Sequence, residues 1–442
     1  MCEVSNTVNI KNVVSNLKDN PVFHMSLASK ELFHSNMLAW FLESRDSEDP
    51  LLSDIAKELA KLFMPDYTVL TVLREKSHLD LIIVFLPDNE DFKSHDWTEI
   101  EDVFQNSGSD DQDLLEKLQK NCRFVVVENK FKSIPDKEQL KKYNKTIEKR
   151  IYFKKIKRTK ISVDLNEENT TRYLMAPEVA LENFKECDEW KRISWDEISK
   201  KLSEALKTKE KRDPFTAKFI EHYANLLDNM LELTKDIEKK LDLPTNLAFP
   251  KQRDIAELSK IRIHDFYEKL WFSVLLSKIE ITDEDKMELL KGSGYTRSLG
   301  LLDFKIIDAK EQHVWRGVQI QASQLRITLE PEWQIRKTDP KYVLKKDSDK
   351  KIQDYCDCVL EIMREKLGTN LQFSLKHNSK ELHRFGEFKY RYIPLEKNKK
   401  ISIEELKKMI NSALYAIYHL PLEDLEAEDS TKQGNDADAS GI

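Results

Sequence analysis

The chain has 442 residues, 34% of them charged, a net charge of −7 and only 9 glycines. Average usage near 7% would give about 31 glycines, and none occurs before Gly108 or between Gly108 and Gly292. Phosphate cradles of the GxxxxGK[ST] and GxGxxG kinds are therefore excluded, and any phosphate chemistry must rest on metal ions and basic side chains.

In chain order, residues 27–43 read as a helix, with Phe33, Met37, Trp40 and Phe41 on one face and Glu31, His34, Ser35 and Leu38 on another. LDLIIVFL (79–86) reads as a strand ended by Pro87-Asp88-Asn89. Residues 88–121 hold eleven acids against three bases and read as a solvated acidic insertion with a short helix around 114–118. RFVVV (123–127) is a second strand, closed by Glu128-Asn129-Lys130. Pro135-Asp136 then introduces the helix KEQLKKYNKTIEKR. A third strand is expected at 172–175, and Asp213-Pro214 starts a long helix through Phe219, Tyr223, Leu226, Met230 and Ile237.

Pro244 and Pro250 bracket a boundary at 243–251. Beyond it the pattern is α+β: a helix over 255–279, strands GLLDFKII, VWRGVQIQ and LRITLE, a helix over 350–366, strands FSLKH and FKYRYI, and a helix over 404–420. Gly292-Ser293-Gly294 reads as a loop. Cys356 and Cys358 lie two apart on a helix and point away from each other, which suits packing. The resulting domains are 1–243 with the 88–121 insertion, 251–421, and a disordered acidic tail over 422–442.

Phosphodiester hydrolysis without glycine loops calls for carboxylates that hold a hard divalent cation. Asp80 heads an apolar strand, an unusual place for a charge without a partner. Glu128 and Lys130 close the next strand, and strand alternation points both to one side. A carboxylate and an ammonium would there flank one reacting water. Blander readings exist for each residue: an ion pair of Asp80 with Arg74 or Lys76, a solvated helix face for Glu31 and His34, and a strand end meeting solvent for Glu128 and Lys130. Gln139 could be the capping-box partner of Asp136, with Tyr143 a core tyrosine one turn on.

The ordered set Asp80…Glu128-Asn129-Lys130 resembles the PD-(D/E)XK nuclease superfamily. The run ELFHSNMLAW from Glu31 resembles the early helix on which members place a further acid, and Gln139-x-x-x-Tyr143 resembles the QxxxY motif of RecB-type members. The resemblance covers residues 27–240. It departs from the pattern in Leu79-Asp80, where the name has Pro-Asp, and in the long interval from Asp80 to Glu128. It implies an α/β, restriction-endonuclease-like core with a central mixed β-sheet flanked by helices, followed by the α+β domain. The implied activity is metal-dependent hydrolysis, with Asp80, Glu128, the carbonyl of Asn129 and Glu31 around Mg2+ or Mn2+. Lys130 would position the attacking water, and Gln139 and Tyr143 would support substrate or lysine.

From Glu128 to Lys160 there are thirteen bases against four acids, with Phe131, Tyr143, Tyr152 and Phe153 interleaved. Lys132, Lys141, Lys142, Lys145, Lys149 and Arg150 are the expected contacts to a nucleic-acid backbone, DNA favoured over RNA. The plainer alternative is an ordinary solvated lysine-rich helix face. A homo-oligomer or an activator acting through the C-terminal half stays open, as do a non-catalytic sensor and a role in anti-phage defence. Five scattered cysteines, an N-terminus without signal-peptide pattern and the lack of a long apolar run point to a reduced, cytoplasmic setting without membrane partners.

Overall fold

The computed structural model describes residues 8–26, 30–76, 78–87, 120–132, 137–147, 151–156, 159–163, 165, 168–184, 189–207, 213–242, 247, 249–282, 287, 289–295, 300–306, 314–331, 349–368, 379–385, 388–395 and 401–420. The acidic stretch over 88–119, the expected helix around 114–118, the expected strand FSLKH and the tail over 422–442 lie outside them. The chain divides into two compact units, Met1–Glu238 with Gln252–Leu270, and Lys239–Lys251 with Trp271–Ile442.

The first unit begins with helices α1 (Ile10–Lys18), α2 (Pro21–Met25), α3 (Glu31–Glu43) and α4 (Pro50–Phe63). An Asn or Asp followed by Pro starts α2 and α4, because the side-chain oxygen accepts the first free N–H groups and proline needs none. Asn20 Oδ1 accepts from Val22 and Phe23 at 2.9 and 3.1 Å, and Asp49 Oδ1 from Leu51 at 2.9 Å. The long helix opens in the same way, with Thr216 N–H on Asp213 Oδ2 at 2.6 Å.

Strands β1 (Tyr67–Lys76), β2 (Leu79–Pro87) and β3 (Arg123–Asn129) form an antiparallel meander. Helix α5 (Lys137–Ile147) and a separate two-stranded ribbon, β4 (Ile151–Ile156) with β5 (Thr159–Val163), precede β6 (Thr170–Ala176). After the short α6 (Glu178–Leu181) comes β7 (Lys191–Ser194), and β6 and β7 extend the sheet in parallel in the order β1-β2-β3-β6-β7. Leu81–Leu86 and Phe124–Val127 are completely buried, as unbroken apolar runs are in sheets covered on both faces. Helix α3 packs on β1 and β2, and α7 (Trp195–Ala205) packs on α4. Helix α8 (Pro214–Leu241) follows. This is the expected α/β class, a mixed sheet flanked by helices.

The expected single helix over 255–279 is instead two, α9 (Gln252–Ser259) and α10 (His264–Ser277). The chain turns between them with Arg262 at φ 60°, a left-handed position usually given to glycine; an arginine there gives no sequence signal of a break.

The second unit carries the antiparallel sheet β12-β13-β11-β10-β9-β8. Its strands are β8 (Leu289–Tyr295), β9 (Gly300–Ile306), β10 (Val314–Gln321), β11 (Gln324–Pro331), β12 (His383–Phe385) and β13 (Phe388–Pro394), with helices α11 (Asp349–Lys366) and α12 (Ile403–His419) packed together. Phe304, Val318, Ile320, Ile327 and Leu329 form its core. Gly292-Ser293-Gly294, expected as a loop, lies within β8, paired to Leu301–Asp303 on the sheet edge. Backbone pairing there overrides low strand propensity. A side chain at Gly317 would strike the Phe304 carbonyl of the neighbouring strand, so the close approach needs glycine. Cys356 is buried and Cys358 exposed, as the helical spacing implies.

Candidate active site

Strands β2 and β3 pair from Phe85↔Arg123 to Leu81↔Val127. One residue further, the Asp80 carboxylate takes the place of the neighbouring backbone: Oδ2 accepts the Asn129 N–H at 2.7 Å. The turn leading into Asp80 holds Glu75 and His78 at φ 53° and 67°, positions that cost non-glycine residues energy and commonly mark sites. Arg74 pairs with Glu43, so the structural ion pair weighed for Asp80 with Arg74 does not form.

Glu128, Asn129 and Lys130 leave β3 almost fully buried, at 1%, 0% and 7% exposure. Lys130 N–H donates to Met175 O at 2.7 Å, and its ammonium sits 2.5 Å from Glu128 Oε1. Glu128 Oε2 is buried with no hydrogen-bond partner. From α5, Gln139 Nε2 donates to the Tyr143 hydroxyl at 2.5 Å and approaches Glu128 Oε1 at 3.4 Å. The Tyr143 hydroxyl also bonds Glu128. Gln139 and Tyr143 therefore face the carboxylate, whatever Asp136, outside the described residues, does.

Burial pushes the Glu128 carboxyl up to about 7, and the neighbouring Asp80 charge adds to this against the pull of Lys130. Burial likewise lifts Asp80 to about 6; the Asn129 N–H and Lys130 oppose it, while Glu31 and Glu75 add to it. Burial disfavours the Lys130 ammonium, but Glu128, Glu31 and Asp80 outweigh that and hold it above its ordinary value. Tyr143 is raised by burial and then by the Glu128 charge. Two carboxyls raised by burial, Glu128 also by the Asp80 charge, beside one orphaned buried oxygen, suit a hard cation held by one or two acids and otherwise by water and phosphate. Among the described residues no third His, Cys, Asp or Glu completes a ligand cluster. Glu31 is half-buried on α3 and acts on the pair through its charge.

The Asn129 side chain is spoken for by structure. Its Nδ2 donates to Ser35 Oγ at 2.9 Å and to Glu31 O at 3.2 Å, and its Oδ1 accepts from Trp195 Nε1 at 3.1 Å. Any ligand role thus falls to its carbonyl. Ser35 and Trp195 were not singled out as site residues; the readable signal was S-x-x-E at Ser194…Glu197, a capping box that fixes the start of α7 and so of Trp195. His34 is buried rather than solvated. It packs on Phe131 at 3.8 Å between ring centres, bonds Tyr223 at 3.1 Å, and is kept neutral by burial, with its pKa pushed down to about 3.

Of the expected nucleic-acid contacts, Lys141, Lys142 and Lys145 are exposed on α5. Lys149 and Arg150 lie outside the described residues. Lys132 is turned to protein: its ammonium donates to Arg262 O at 3.1 Å and stands 3.3 Å from Asp265 Oδ1.

Among the described residues no helix is long and apolar enough to cross a membrane. Comparison with curated proteins and with solved structures gives no match. Comparison with protein families does: residues 21–225 match the PD-(D/E)XK nuclease superfamily, a span that contains all six acid, lysine, glutamine and tyrosine positions above. Nucleases of this superfamily generally use divalent metals such as Mg2+. Residues 21–225 of this chain are thus similar to the PD-(D/E)XK nuclease superfamily.

Proposed function

We propose that the protein is a metal-dependent nuclease that hydrolyses phosphodiester bonds in DNA, with Asp80, Glu128, Lys130, Gln139 and Tyr143 as its working residues. The observation that carries this reading is the buried, unpartnered Glu128 Oε2 beside the Lys130 ammonium and the raised Asp80. Asp80, Glu128 and the Asn129 carbonyl would hold Mg2+ or Mn2+, which when bound supplies a water acidic enough to attack at neutral pH and a positive charge for the phosphate.

The chain's own groups do the rest. Lys130, with three donors on one flexible stem, orients a water and neutralises charge growing on phosphate oxygens. Gln139, itself bonded to Tyr143, holds the Glu128 carboxylate through Oε1 and leaves Oε2 for a ligand. Glu31 adds negative charge near Asp80 and Lys130. The exposed lysines of α5, together with the basic sequence of β4–β5, suit binding to a nucleic-acid backbone. A place in anti-phage defence fits such a nuclease and belongs to the proposal.

The test is cleavage of plasmid, linear and single-stranded DNA and of RNA with Mg2+, Mn2+ or EDTA, alongside Glu128→Ala and Lys130→Ala. Cleavage of DNA by the wild type alone, abolished by EDTA and reduced at least 100-fold in both variants, is expected, from roughly 3 kcal/mol of lost transition-state stabilisation. Cleavage that survives EDTA or the loss of Glu128 overturns the metal–carboxylate mechanism. Binding without cleavage of any substrate favours the non-catalytic sensor.

A further inference from the structure

Residues 252–270 lie beyond the span matched to the nuclease superfamily, yet they belong to the same compact unit. They meet the chain immediately after Lys130. Phe131 is 1% exposed and stacks parallel to Phe266, 9° between planes and 6.5 Å between centres. Its other contacts are the His34 and Trp195 rings, at 3.8 and 5.1 Å. Trp195 is the residue that bonds Asn129. Lys132 bridges Arg262 O and Asp265. Asp265 Oδ1 is buried and accepts no aligned hydrogen bond, so the Lys132 charge is what offsets its burial. Arg262 itself is held at φ 60°, a conformation that side chains rarely keep unless the surroundings impose it.

We infer that the segment 262–266, Arg262 and the first turn of α10, is a clamp on the E-x-K strand end, and that Asp265 and Lys132 are positioning residues for Lys130. The proposal rests on the nuclease reading of the site. Lys130 directly follows Asn129, the last paired residue of β3, and its ammonium must serve Glu128 and the reacting water from one backbone placement. The residues that fix that placement downstream are Phe131, wedged between three rings, and Lys132, tied to the turn. Displacement of a catalytic group by about 1 Å can cost on the order of 100-fold in rate, so a remote pair can act on kcat without touching substrate.

The clamp and the phosphate-contact reading of Lys132 give opposite kinetics. The variants are Lys132→Ala, Asp265→Asn, the double variant, and the charge swap Lys132→Asp with Asp265→Lys, assayed on a DNA that the wild type cleaves. Asp265→Asn keeps the volume and guards against a misfolded protein. The clamp predicts kcat lowered about tenfold or more in each single variant with KM within about twofold. It also predicts a double variant no worse than the worse single, as coupled residues give, and partial recovery of kcat in the swap. An unchanged salt slope of DNA binding is expected as well. The clamp is overturned if Lys132→Ala raises KM at constant kcat and lowers that slope by about one, or if Asp265→Asn cleaves like the wild type. A wild type that cleaves no nucleic acid overturns the nuclease reading and the clamp with it, an outcome distinct from normal cleavage in Asp265→Asn.

Discussion

Asn129 shows how much a single buried side chain organises. Its amide ties β3 to α3 through Ser35 and Glu31 O, and to α7 through Trp195, while its own backbone N–H serves Asp80. Asn129→Ala strands the indole N–H of Trp195 in a dry interior and should cost about 2–3 kcal/mol of stability, read as a shift in the urea unfolding midpoint at constant slope. A loss below about 0.5 kcal/mol would mean that the three bonds organise nothing. The roles that were legible from sequence are the local ones. Asp80 interrupts an apolar run, Glu128 and Lys130 alternate at a strand end, and Gln139 and Tyr143 are one helical turn apart. Trp195 and Ser35 bond Asn129 across 66 and 94 residues, and no local pattern encodes a partner at that distance.

At the scale of elements, what could be read was again a matter of period and punctuation. β2, β3, β9, β10 and β11 are apolar runs between turn residues, and their existence was plain. The ribbon β4–β5 was not, because IYFKKI and TKISV mix lysine into strand-like residues and read first as a charged surface. Its backbone pairing sets Lys155 in register with Lys160. No acid occurs between Arg150 and Val163, so the stretch is basic throughout and suits a polyanion. Replacing Lys154, Lys155 and Lys160 by alanine should flatten the slope of log K against log salt for DNA by up to about three, measured by fluorescence anisotropy at several salt concentrations. An unchanged slope would place the phosphate contacts elsewhere. The break between α9 and α10 marks the opposite case, where a left-handed Arg262 follows from tertiary contacts and leaves no trace in composition.

For the molecule as a whole, the site makes stability depend on pH in an unusual direction. Glu128 and Asp80 are raised to about 7 and about 6 from ordinary values of 4.5 and 3.8. The folded state therefore binds more protons than the unfolded chain between about pH 4 and 7, and the contribution of these two groups falls as pH rises through that window. Measured as the difference in Tm between wild type and Glu128→Gln, the metal-free wild type should lose ground from pH 5 to pH 8. Millimolar Mg2+ should raise Tm by several degrees at pH 8, leave it unchanged at pH 5, and do nothing for Glu128→Gln. A wild type that gains on the variant with rising pH would contradict this. The division into units has a consequence of another kind, in time rather than in energy. The first unit takes residues 1–238 and then 252–270, so synthesis must run on past Lys239–Lys251 before the turn that holds Lys132 exists. At about 5–20 residues per second, the stretch from 239 to 270 takes on the order of 2–6 s to emerge. During that interval the nascent chain carries Asp80, Glu128 and Lys130 but not the partners of Lys132, Arg262 O and Asp265, so the segment after Lys130 gains those contacts last.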